Sequence, residues 1–207
     1  MLSTPLLYIL LSFSCHKDSG KPNTAASDYF PNAVGDYWEY LVRDSTDGIP
    51  PSENYTVKVS IVGTKKMVDG IDATVWQYEY PARTDTNFIR ITGDTVKVFD
   101  LIYSRSPRDL EFPRQLFILP FRDGQRWDGK LLATDTFHVY FAAPVETSAG
   151  LFNSTVNIFH CYIAPNTEYI DNYWFQPNVG MVQMVYNHYV LSPKTYQTWK
   201  LTRYYLH

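Results

Sequence analysis

Residues 55–62, Tyr55-Thr-Val-Lys-Val-Ser-Ile-Val62, and residues 71–80, Ile71-Asp-Ala-Thr-Val-Trp-Gln-Tyr-Glu-Tyr80, stand on either side of Asp69-Gly70. In both runs apolar and polar side chains alternate, which in an extended strand sends one set to each face of a sheet. Asp-Gly supplies the positive φ angles of a type I′ turn, so the stretch predicts an antiparallel hairpin. A second hairpin follows, in which Phe88-Ile-Arg-Ile-Thr92 and Thr95-Val-Lys-Val-Phe99 flank Gly93-Asp94. Its leading glycine suits a type II′ turn.

Outward from these hairpins the same texture continues. Phe137, Val139 and Phe141 share one face, Val156 and Ile158 another, and 181–190 and 196–206 are long, aromatic-rich runs. No long helical period interrupts them. Aromatic residues make up 16% of the chain, with 17 Tyr and 12 Phe, and such side chains favour the half-buried surface of a sheet. The expectation is an all-β domain built on a single strongly curved antiparallel sheet, a half-barrel or flattened barrel of about eight to ten strands. Residues 102–115, which include Arg105, Pro107, Arg108, Pro113 and Arg114, read as a basic, irregular crossing over one end of the sheet.

Pro31-x3-Gly35-x2-Trp38 and Pro120-x3-Gly124-x2-Trp127 share one spacing, and Pro177-Asn-Val-Gly180-Met-Val182 is a looser copy. Proline fixes φ, glycine lets the chain reverse, and the large apolar residue anchors the next strand. These segments therefore predict structural corners, with Trp38 and Trp127 buried.

Ahead of the strands, residues 2–13 form an apolar run too short to cross a bilayer core of about 30 Å, the pattern of a signal-peptide h-region. Small Ser12 and Ser14 precede Cys15. The segment Leu11-Ser12-Phe13-Ser14-Cys15 resembles the processing site of bacterial lipoproteins. That resemblance implies that Cys15 is acylated and becomes the mature N-terminus. Residues 16–28 carry no large apolar side chain and read as a flexible tether. The organisation expected is a signal peptide at 1–14, the lipidated cysteine and tether at 15–28, and one all-β domain at 29–207.

The opening Tyr29-Phe30-Pro31-x3-Gly35-x2-Trp38-Glu39-Tyr40 and the closing Tyr173-Trp174-Phe175-x-Pro177-x-Val179-Gly180 resemble uncharacterised envelope lipoproteins of Bacteroidota. Members similar to it also carry a middle Leu-Pro-x3-Gly-x2-Trp, here Leu119 to Trp127, and a glycine–aromatic pair, here Gly150-x-Phe152. The resemblance implies a lipid-anchored protein of the bacterial cell envelope, at the outer membrane on its periplasmic face or at the cell surface. It implies a curved antiparallel sheet and no established activity.

The chemistry is sparse. Lys plus Arg number 18 against 21 Asp plus Glu, and a net charge of −3 gives no electrostatic footprint for nucleic acid. The chain has no phosphate loop, nucleophile elbow, His-Glu-x-x-His or Cys-x-x-Cys. His138, His160 and His188 fall on separate strands, where a sheet could gather three nitrogen ligands, but chance placement accounts for them more simply. Cys161 lacks a disulfide partner once Cys15 is acylated and is expected to be shielded and inert. Neighbours in a strand face opposite ways, so His160 and Cys161 form no dyad.

Glu146, Glu168 and Asp171 could supply the carboxylate pair of a glycosidase, but their spacing specifies no such geometry. Asp85, Asp94, Asp100, Asp123 and Asp128 read as turn residues. Trp76, Tyr78 and Tyr80 share one strand face, as do Trp199 and Tyr205. Such ladders serve either as cross-strand packing or as a platform for sugar rings. No catalytic residue, metal ligand or cofactor is assigned. The functional reading is a lipid-anchored envelope protein, held to the membrane through Cys15, that works as a non-enzymatic binding or assembly module with an envelope protein or glycan as partner. The alternatives are a carrier of an apolar ligand or lipoprotein, and a glycan-binding protein or hydrolase.

Overall fold

Alternation along the chain resolves into fourteen strands among the described residues. The computed structural model describes residues 25–47, 49, 54–100, 113–129, 135–164, 167–190 and 194–207; the leader and Cys15 lie outside them. The first half of the chain gives β1 (Tyr37–Thr46), β2 (Tyr55–Lys66), β3 (Asp72–Glu79), β4 (Thr84–Thr92), β5 (Thr95–Asp100), β6 (Gln115–Ile118) and β7 (Arg126–Asp128). The second gives β8 (Thr136–Phe141), β9 (Val145–Thr147), β10 (Gly150–Phe152), β11 (Val156–Ala164), β12 (Thr167–Gln176), β13 (Gly180–Val190) and β14 (Thr195–Tyr205).

Twelve strands form one antiparallel sheet in the order β6-β5-β4-β3-β2-β1-β14-β13-β12-β11-β8-β7, and β9 and β10 form a separate pair. The count exceeds the expected eight to ten, and the sheet is not single. The additional strands β6, β7, β9 and β10 are three or four residues long, too short for alternation to show in sequence. Two runs of the sheet, β1 to β6 and β7-β8-β11-β12-β13-β14, join where β1 pairs with β14 from Tyr37↔Tyr205 to Thr46↔Thr195.

Curvature brings the far edges β6 and β7 together. Trp127 Nε1 donates to the Leu116 carbonyl at 2.6 Å, and Gln125 Nε2 to that of Ile118 at 3.1 Å. Side chains thus bridge the edges that backbone ladders leave open, and the sheet is a nearly closed barrel.

One end of the barrel is plugged. The helical turn α1 (Ala26–Tyr29) buries Ala26 and Tyr29, so the ordered domain starts within the segment read as tether. The Phe30 ring lies 5.1 Å from Phe117 and 4.8 Å from Phe175. Val145 and Phe152 of the β9–β10 hairpin complete the plug, and Ala149 N–H donates to Leu201 O. The predicted corners lie at this end. Gly35, Gly124 and Gly180 take φ of 102°, 76° and 92°, open to glycine and strained for other residues. Trp38 is 1% and Trp127 9% exposed. Trp38 stacks on Trp76 and donates its indole N–H to Val179 O at 2.6 Å, joining the first corner to the third.

The turn after β4 has Gly93 alone at positive φ (55°), as a type II′ turn requires. The Asp69-Gly70 turn differs from expectation, because Gly70 has positive φ and Asp69 does not. Gly70 N bonds Met67 O and Met67 N bonds Ile71 O, which describes a three-residue loop with a glycine bulge. Asp69 is used elsewhere. Its carboxylate makes a two-pronged pair with Arg90 at 2.6 and 2.9 Å, which holds the hairpin tip beside a small outer cluster of Met67, Ala73, Phe88 and Phe99.

Two further expectations need correction. A bulge in the β1–β14 register, where Glu39 pairs with Arg203 and Tyr40 with Leu201, moves Tyr205 to the opposite face from Trp199. Tyr205 there stacks on Tyr37 and is exposed. Phe137, Val139 and Phe141 do share one face, opposite His160, Ile158 and Val156, with Phe141 exposed at the strand end. Within 102–115, Gln115 opens β6, while 101–112 lie outside the described residues.

Candidate functional site

At the end opposite the plug, β1, β3, β5, β7, β11 and β13 finish and β2, β4, β6, β8, β12 and β14 begin. Near these strand ends the interior changes character. Register places Phe137, His160, Asp171, Tyr186, Gln197 and Asp44 side by side across β8, β11, β12, β13, β14 and β1. Directly opposed residues share a face, so this is one inward row. One step towards the plug, the row is Val139, Ile158, Tyr173, Met184, Trp199 and Val42, mostly apolar and buried. The barrel therefore has a filled apolar part and a polar mouth.

At the buried side of the mouth, His160 Nε2 lies 2.6 Å from Asp135 Oδ1, and Nδ1 lies 3.6 Å from Asp171 Oδ2. Asp135 precedes β8 and packs against Gly129, where a Cβ would overlap its carboxyl. Burial alone would lower the proton affinity of His160, but the Asp135 and Asp171 carboxylates outweigh it and raise the imidazole pKa. The ring stacks on Phe137 at 4.0 Å and on Tyr162 at 5.3 Å, and Tyr162 stacks on Tyr169 at 4.3 Å. From Asp171 the network continues through Tyr173, whose hydroxyl is 3.3 Å from Asp171 Oδ2 and accepts from Gln115 Nε2 at 2.6 Å. Two atoms are left over. His160 Nδ1 and Asp171 Oδ1 are buried with no hydrogen-bond partner among the described residues.

The other side of the mouth is half-buried. Gln197 donates to Asp44 Oδ1 at 2.7 Å and accepts from Trp199 Nε1 at 2.6 Å. Tyr55 donates to Asp44 Oδ2 at 3.2 Å, and burial together with that carboxylate pushes its pKa up to about 12. Burial, then the Asp171 charge, holds Tyr173 and Tyr186 well above the ordinary phenol value. All three tyrosines are therefore neutral hydroxyls at any physiological pH.

Of the histidines, His138 lies on the opposite face of its strand from Phe137, hydrogen-bonded to Arg126 and Tyr140, so it cannot share a metal with His160. The side chain of His188 lies outside the described residues. Cys161 faces outward and is half-exposed, not shielded; burial, then Glu168 and the aspartates, raises its thiol pKa. Among the three carboxylates considered, Asp171 lines the mouth while Glu146 is exposed on β9. Glu168 pairs with exposed Ile163 on the outer face. Asp85 lies in β4, bonded to Arg83, and is not a turn residue. Asp44 and Asp135, both central to the mouth, escaped the sequence reading.

No family model matches the sequence, and no curated protein matches it. Among solved structures, the chain is similar to a proposed exported protein with a YmcC-like fold from Bacteroides fragilis, at 16% identity and a TM-score of 0.46 over 86% of this chain and 98% of that one. It is also similar to a proposed lipoprotein from Parabacteroides distasonis, at 13% identity and a TM-score of 0.48 over the same shares. Neither likeness bears on ligand or activity.

Proposed function

We propose that this chain is a lipid-anchored protein of the bacterial cell envelope that serves as a non-enzymatic binding module, with its ligand entering the polar end of the barrel. The observation that carries the reading is the contrast between the two ends. Aromatic side chains of the chain itself fill the apolar part, which gives no support to carriage of an apolar ligand. The polar end gathers Asp44, Asp135, His160, Asp171 and several tyrosines in one inward layer. Convergent polar groups on an aromatic wall are the usual composition of a binding site.

Binding is favoured over hydrolysis by the setting of His160. Both ring nitrogens face carboxylates, which leaves neither to take a proton from a nucleophile or water. The test is photo-cross-linking in cells that express the full chain, with a photoactivatable amino acid at position 197 in the mouth or at position 151 by the plug. An envelope component captured from 197 and not from 151 is the expected result. Capture from neither, or from both alike, overturns the reading. The anchor is tested separately: Cys15→Ser should move the protein from the membrane to the soluble fraction, and undiminished membrane association of that variant would remove the lipid anchor from the proposal.

A further inference from the structure

Two unpartnered atoms give the mouth a chemical preference. His160 and Asp171 are opposed residues on β11 and β12, 2% and 5% exposed, and each has one polar atom without a hydrogen bond among the described residues. Leaving such groups unpaired costs free energy, so a site that presents both gains by receiving a group that serves both. Set between two carboxylates, the protonated imidazole directs Nε2–H to Asp135 and has Nδ1 as a donor, while Asp171 Oδ1 is an acceptor. A hydroxyl accepts from the first and donates to the second with one oxygen atom.

Charge narrows the choice further. Among the described residues the charges of the mouth already have partners: Arg83 bonds Asp85, His160 lies between Asp135 and Asp171, and Asp44 accepts from Gln197 and Tyr55. Charges satisfied within the protein single out neither a cationic nor an anionic ligand. Tyr186, which is partly exposed, stands next to Asp171 in register and brings an aromatic ring beside a polar tip.

We infer that the polar end binds an uncharged, hydroxyl-rich ligand of the sugar class, with one ligand hydroxyl between His160 Nδ1 and Asp171 Oδ1 and the ring lying on Tyr186. This deepens the binding-module reading and rests on it. A free saccharide and the end of a longer glycan present the same chemistry, so both are probed. Purified full chain in detergent is tested against an array of neutral mono- to hexasaccharides, with acidic sugars and polyamines alongside. The strongest neutral binder is then titrated calorimetrically against the parent, Asp171→Asn, Tyr186→Ala and, by the plug, Leu151→Ala.

The expected result is selective binding of neutral saccharides, weakened about tenfold or more by Asp171→Asn and by Tyr186→Ala and unchanged by Leu151→Ala. Longer ligands gaining affinity over their terminal monosaccharide would identify a polymeric glycan, and equal affinity a free sugar. Thermal unfolding of each variant shows whether it has folded; should Asp171→Asn fail, Tyr186→Ala alone decides. An array without neutral binders, a preference for polyamines or acidic sugars, or binding indifferent to both variants overturns the inference. Cross-linking from position 197 together with an empty array sinks the hydroxyl ligand and leaves the binding module standing. A parent crystal structure with only an ordered water between the two atoms, soaked at saturating saccharide, is equally decisive against it.

Discussion

The fold raises the proton affinity of His160, and that sets a pH dependence. Its pKa is raised over the unfolded value of about 6.5, so the linked stabilisation is complete below that value and is lost as pH rises through the folded pKa. The groups facing it are Asp135, Asp171, Phe137 and Tyr162, and both carboxylates act in the same direction. The melting temperature of the parent should exceed that of His160→Gln by most near pH 6, and the gap should narrow towards pH 9; a gap that widened would show that the imidazole is buried neutral. Asp135→Asn, which removes one partner of a buried pair, should cost about 3–5 kcal/mol in chemical denaturation. The inward direction of these residues was legible, because Val156-x-Ile158-x-His160 and Asp171-x-Tyr173-x-Phe175 carry titratable groups at apolar-face positions. Their meeting was not, since it depends on a β11–β12 register that alternation leaves free. Asp135 lies outside any strand, and its burial comes from the space at Gly129, so no periodic pattern marks it.

The corners are the elements whose sequence spacing translated most directly into structure. Each tryptophan combines burial with an indole N–H bond to a distant carbonyl, Trp38 to Val179 and Trp127 to Leu116. Trp38→Ala and Trp127→Ala should each lower unfolding free energy by about 3–5 kcal/mol in urea titration. Trp38→Phe keeps a ring but leaves Val179 O unpaired, and should cost a further measurable part of that, about 1–3 kcal/mol. Unchanged midpoints for both alanine variants would mean that the corners do not carry the fold. The hairpins were legible because alternation of five to ten residues on each side meets a glycine-containing turn. The turn at Asp69-Gly70 was misread because its aspartate serves Arg90 on the outer face, a tertiary demand that the dipeptide does not reveal. Tyr205 was misplaced for a related reason: one bulge inverts every side chain beyond it.

Closure belongs to the whole molecule. Curvature of the sheet was expected from sequence, but the near-barrel arises because β6 and β7, consecutive in the chain yet at opposite edges of the sheet, meet through Trp127 and Gln125. Gln125→Ala removes one of these bridges without disturbing a backbone ladder. Amide hydrogen exchange in Gln115–Ile118 and Arg126–Asp128 should then quicken selectively, with β1 and β14 unaffected; uniform protection would show that the seam is held by other contacts. The β1–β14 pairing places the first and last strands at the centre of the sheet, and α1 enters beside them at the plugged end. In a chain fastened to a bilayer at Cys15, ten residues, 15–24, would separate the anchor from the described domain, a contour of at most about 35 Å. It would stand on its plug, with the row of His160, Asp171 and Tyr186 turned away from the lipid and towards whatever diffuses in the adjoining compartment.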